Sequence, residues 1–91
     1  MLEPKEYIKK PLTFEAVQLT EENYHEVSKW CNGYAASFSI NTKKLFVQIR
    51  VKTPDGDQMA NAGSYIVKDA LGNFFVYSED DFDVRFKENK P

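Results

Sequence analysis

Only one stretch of this chain carries a helical period, and the residues beyond it alternate with period two. Tyr24, Val27, Trp30 and Cys31 share one face at i, i+3 and i+7 spacing, while Glu22, His25, Glu26 and Lys29 fall on the other. Thr20 stands where an N-cap belongs, and Glu21 and Glu22 sit in the first turn, where the helix dipole favours negative charge. Asn32-Gly33 offers a left-handed stop. The pattern predicts a helix over 20–32, of about three turns. A lone amphipathic helix must bury its stripe against something else, and the rest of the chain reads as strands. The expected class is therefore α+β: one helix packed on a curved, mostly antiparallel sheet of five to six strands.

The strands arise from local chemistry. Leu12 to Leu19 reads as the first, with a change of parity at Ala16-Val17 that implies burial on both faces or a bulge. Tyr34 to Ile40 is β-compatible, and Asn41 to Lys44 forms a polar turn. Leu45, Val47, Ile49 and Val51 alternate with Phe46, Gln48, Arg50 and Lys52, as a strand with one core face and one wetter face does. Thr53-Pro54-Asp55-Gly56-Asp57 is a tight turn, from which Gln58 to Asn61 returns as a short strand. Tyr65 to Lys68 and Phe74 to Tyr77 are joined through Leu71-Gly72-Asn73. Glu79-Asp80-Asp81 reads as a helical turn or corner, and Phe82, Val84 and Phe86, alternating with Asp83, Arg85 and Lys87, read as a last strand. Residues 1–10 are expected to form a loosely ordered arm, residues 11–88 the single domain, and residues 89–91 a disordered tail.

The sheet has more apolar faces than one helix can cover. Phe74 and Val76 oppose Phe75 and Tyr77, and Ile66 opposes Tyr65 and Val67. The second face must close on itself, meet the N-terminal arm, or meet another protein. A coiled sheet that buries both faces on itself is the simplest arrangement.

Ninety-one residues leave room for one domain, and seven Phe, five Tyr and one Trp argue against disorder. Twelve basic against fourteen acidic residues, a net charge of −2, weigh against broad binding to nucleic acid or anionic membrane. With Cys31 as the one cysteine, no intramolecular disulfide can form, and a small secreted domain usually carries several. No apolar run has the length of a membrane span or a signal peptide, so a cytoplasmic protein is expected.

Reactive constellations are sparse. His25 is the one histidine, on the polar helix face, and no second His lies at i+4, so the zincin pattern is absent. Cys31, on the apolar face beside Trp30, reads as a packed thiol rather than a nucleophile. Glu79, Asp80, Asp81 and Asp83, and separately Asp55 and Asp57, match no calcium-loop spacing and read as turn and capping residues. The four glycines are isolated, so there is no phosphate-binding loop. No catalytic residue, metal or cofactor is expected. Phe46, Arg50, Ile66, Phe75 and Tyr77 are the candidates for contact with a protein partner. Lys43, Lys44, Arg50 and Lys52, beside Phe46, make an alternative basic-aromatic face for nucleic acid.

Some of these residues form a recognisable set. Ala16-Val17-Gln18-Leu19-Thr20, then Trp30-Cys31 and Gly33, then Ala62-Gly63-Ser64-Tyr65-Ile66-Val67-Lys68 and Gly72-Asn73-Phe74-Phe75 resemble a group of small, mostly uncharacterised proteins of tailed bacteriophages and prophages. In that group an Ala-Val-Gln-Trp-Thr strand precedes a Trp-Cys helix, and a Pro-Gly-Asp-Tyr-Ile-Ile-Lys strand precedes a Gly-x-Phe hairpin. The likeness spans residues 11–87. Ala62 and Ser64 replace the proline and aspartate of the turn, and Leu19 replaces the tryptophan. The resemblance implies a phage or prophage product acting in a bacterial cytoplasm, and it supplies no site residues. The expected function is a non-catalytic accessory module that binds a host or phage protein, as a monomer or weak homodimer. A nucleic-acid-binding module and a minor virion or assembly component are the alternatives.

Overall fold

The structure, a computed structural model, describes residues 2–6, 13–39 and 45–87, the side chains at 38 and 39 excepted. Half of the expected arm, all of the expected tail at 89–91 and the polar turn at 41–44 lie outside the described residues. Among the described residues, six antiparallel strands form two three-stranded sheets, and two helices accompany them in an α+β fold. Strand β1 (Glu15–Gln18) is followed by helix α1 (Tyr24–Trp30), then by β2 (Tyr34–Ser39), β3 (Leu45–Thr53) and β4 (Gly56–Asn61). Strands β5 (Tyr65–Lys68) and β6 (Phe74–Tyr77) lead into α2 (Glu79–Arg85). One sheet has the order β1-β5-β6 and the other β2-β3-β4.

Helix α1 is shorter than its sequence period suggests, and the reason lies at its start. The Thr20 hydroxyl accepts bonds from the Glu22 and Asn23 amides, and the Asn23 carboxamide oxygen accepts one from the Thr20 amide. The reciprocal pattern is that of a capping box, set here in the turn before the helix, whose own N-cap is Asn23. Asn23 also donates from Nδ2 to the Gln18 carbonyl, 2.9 Å away, and its backbone sits at φ −110°, ψ 4°. Tied back to β1 in this way, residues 21–23 stay a turn, and helical bonding starts at Tyr24. The far end closes as a Schellman motif: the Gly33 amide donates to the Ser28 carbonyl at 2.8 Å and the Asn32 amide to the Lys29 carbonyl. Asn32, at φ 53°, takes the left-handed position. Gly33 serves another purpose, because a Cβ there would lie 2.7 Å from the Arg50 carbonyl oxygen and 2.8 Å from a methyl of Ile49. The helix end rests directly on β3.

The main core lies between α1 and the two sheets. Leu19, Val27, Cys31, Val47, Ile49, Val51, Ala60 and Ile66 are buried there, and Val17, Tyr24, Trp30, Phe74 and Val76 pack around them. The expected stripe on α1 is the one that packs, with Trp30 edge-on to Phe74 at 5.2 Å. Strand β1 keeps one parity rather than two, with Val17 and Leu19 turned inward and Ala16 exposed. Leu19 prolongs the β1–β5 ladder beyond its last paired residue by exchanging backbone bonds with Ser64 and Gly63, both 2.8 Å. Gly63 turns the chain at that point with φ 96°, which is why a glycine stands there.

The segment expected as a last strand is a helix instead. Ser78 caps α2 by accepting from the Asp81 amide at 3.2 Å, and Glu79, Asp80 and Asp81 occupy its first turn. Phe82 and Phe86, which also fit alternate strand positions, are four residues apart and so meet on one helical face. Phe82 stacks on Tyr65 with ring centroids 3.8 Å apart and planes within 4°, and on Phe86 at 4.9 Å. Phe86 in turn meets Tyr77 at 5.1 Å and Phe14 at 5.5 Å. Helix α2 therefore supplies the cover that the second face of β5 and β6 requires, and under it Val67 is fully buried. The sheet does not close on itself to bury that face.

Candidate partner-binding face

Among the described residues, His25, Cys31 and Asp69 lie apart from one another in different surroundings. His25 is exposed, its ring 4.1 Å from that of Tyr24. The Cys31 thiol is buried, and loss of solvent pushes its pKa up from the ordinary 9.0, away from the thiolate that a nucleophile needs. The Asp69 carboxylate accepts from the Leu71 and Asn73 amides and so holds the β5–β6 turn. An open depression of about 430 Å³ beside this turn is bordered by Phe14, Glu15, Lys68, Asp69 and Leu71, with Glu15 directly opposite Lys68 across the β1–β5 ladder. Among the described residues no cluster of three or more His, Cys, Asp or Glu side chains could hold a metal ion.

The structure divides the expected contact residues into two groups. Ile66 is fully buried in the main core and cannot touch a partner. Phe75 and Tyr77 are half-buried on the side of β6 that α2 covers, and Tyr77 is engaged with Phe86. Core packing removes the first of these from the contact set, and the second helix, whose sequence reads equally well as a strand, removes the other two. Phe46 and Arg50 behave differently. Both are exposed on β3 at even positions, facing away from Val47, Ile49 and Val51. Lys52 shares that face, whereas Lys43 and Lys44 lie outside the described residues.

Strand pairing adds two residues that the sequence pattern does not single out. In the register of the sheet, Tyr34 on β2 lies opposite Arg50, and Arg50 lies opposite Met59 on β4. Tyr34 is 74% exposed and Met59 46%. Tyr34, Arg50 and Met59 thus form a row straight across the outer face of β2-β3-β4, with Phe46 and Lys52 on the same face along β3. Only the register reveals this row, because its members are 16 and 9 residues apart in the chain. Asp57 lies opposite Lys52 and balances the charge at the β3–β4 end. None of the family models, curated proteins or solved structures compared with the chain matches it.

Proposed function

We propose that this chain is a non-catalytic accessory module that binds a protein partner through the outer face of β2-β3-β4. The observation that carries this reading is the exposed Tyr34–Arg50–Met59 row. Tyr, Met and Arg are the residue types enriched at the centres of protein interfaces, and Tyr and Arg are among those whose truncation costs most binding energy. Phe46 widens the apolar part of the surface, and Arg50 and Lys52 favour a partner with acidic groups around its contact patch. The likeness to small phage proteins supports a bacterial cytoplasmic setting, with a host or phage protein as the partner.

The test is site-specific photocrosslinking in bacterial cells. A photoreactive amino acid at position 34 or 59 should give the same defined protein adduct, and one at Val84, exposed on α2, should give none. Adducts of equal intensity from all three positions would remove this face from consideration. With the partner in hand, Tyr34→Ala should weaken binding by about tenfold or more, as a central aromatic contact does.

A second reading rests on the same face, since Tyr34 and Phe46 beside Arg50 and Lys52 also suit stacked bases flanked by phosphates. Anisotropy titrations with single-stranded oligonucleotides in low salt decide between them. Saturable binding that Arg50→Glu abolishes would favour nucleic acid over a protein partner.

A further inference from the structure

We propose that the outer edge of β2 pairs antiparallel with β2 of a second copy of this chain, joining two β2-β3-β4 sheets into one six-stranded sheet. Among the described residues no strand hydrogen-bonds to that edge, since β2 stands at the end of its sheet. An edge strand leaves every second backbone N–H and C=O pointing outward. Soluble proteins commonly guard such edges with charge, proline, a bulge or a covering element. Strand β2 has no such guard in its sequence: Tyr-Ala-Ala-Ser-Phe-Ser contains neither charge nor proline and pairs with β3 in unbroken register from Tyr34 to Ser39. The other edges are protected. Strand β1 carries Glu15 and β4 carries Asp57, while β6 packs beside β3 and β4.

The occupant is set by self-complementarity. A two-fold axis requires the same strand on both sides, and antiparallel pairing keeps side chains on their own faces when the axis passes midway between two copies of one residue lying directly opposite each other. With Ala36 opposite Ala36 of the second copy, Ala35 lies opposite Ser37. All three are small and exposed in the single chain, including Ala35 and Ser37, whose parity is that of the core side. No charge is brought against a like charge at the seam. Among the described residues, the nearest charges on the shared face, the two Arg50 side chains, would stand three strand spacings apart across the sheet and four residues apart along it, about 20 Å in all, beyond the roughly 8 Å screening length at physiological salt. The joined sheet would carry two Tyr34–Arg50–Met59 rows on one continuous surface. The pairing itself does not depend on that face having a partner.

Sedimentation velocity across micromolar to millimolar concentration tests the pairing. The wild-type chain should shift towards twice its 10.5 kDa mass, and Ala36→Lys, which sets two lysines against each other at the axis, should remain monomeric with an unchanged circular dichroism spectrum. As a separate measure, Ala36→Cys should form a disulfide-linked dimer under mild oxidation. Met59→Cys, on the opposite edge strand, should not. A wild-type chain that stays monomeric throughout, a dimer that survives Ala36→Lys, or equal crosslinking from both cysteines would each overturn the proposal, the first of them in favour of a foreign strand or no strand at that edge.

Discussion

Gly33 shows how narrowly one position can be defined. Its backbone is not left-handed, so the demand is for space alone: the helix end and β3 approach so closely that a methyl group would overlap the Arg50 carbonyl oxygen. Gly33→Ala should lower stability by about 1–3 kcal/mol in urea denaturation, the cost of overpacking a well-filled site. Two residues earlier, Cys31 makes the molecule sensitive to alkali. Because burial raises its pKa, the unfolded chain ionises first. The stabilisation held by the neutral thiol is complete below the unfolded value and is lost as pH rises through the folded one. The urea midpoint of the wild-type chain should fall more steeply than that of Cys31→Ala as pH rises above the ordinary thiol value. At this scale the sequence is a good guide: the stripe of Tyr24, Val27, Trp30 and Cys31 reads directly as a packed face. Crowding at Gly33 is invisible there, because it depends on Ile49 and Arg50 of a strand separated from it by a whole hairpin.

At the scale of elements, α2 decides how much of the molecule is accessible. Seven residues are too few to hold a helix in water, so its order depends on its contacts, chiefly the stack of Phe82 on Tyr65 and Phe86. Phe82→Ala should cost about 2 kcal/mol, less than a fully buried phenylalanine because the ring is only half-buried. Hydrogen exchange should accelerate across residues 79–86 while α1 keeps its protection. The departure from the expected strand has a definite cause. Phe82, Val84 and Phe86 satisfy a period of two, and Phe82 and Phe86 equally satisfy the i, i+4 spacing of a helix. Ser78 with its three acidic successors is the deciding signal, since a capped, negatively charged first turn favours a helix. Phe75 and Tyr77 leave the contact set for the same reason, whereas Phe46 and Arg50 keep their place because the alternation of β3 is unambiguous.

Over the whole molecule, β5 is the wall between two apolar compartments. Ile66 faces the main core and Val67 the aromatic layer under α2, so adjacent residues serve separate clusters. In urea denaturation Ile66→Val should cost about 0.5–1.5 kcal/mol. Val67→Ala should cost about 2 kcal/mol, at 25–30 cal/mol per Å² plus the cavity left behind. Their combination should equal the sum to within about 0.5 kcal/mol. A large coupling between them would mean that the compartments behave as one. The two-sided apolar character of β5 and β6 is plain in the sequence; which element covers the second side is not, because that is decided by contacts between segments rather than within them.

The order of the segments along the chain has a consequence for biosynthesis. On a translating ribosome, Tyr65, Val67, Phe75 and Tyr77 emerge ahead of the phenylalanines that will shield them. Until those arrive, the nascent polypeptide exposes a greasy, partly assembled hairpin to water, and chaperones that recognise such surfaces have their best opportunity in that interval.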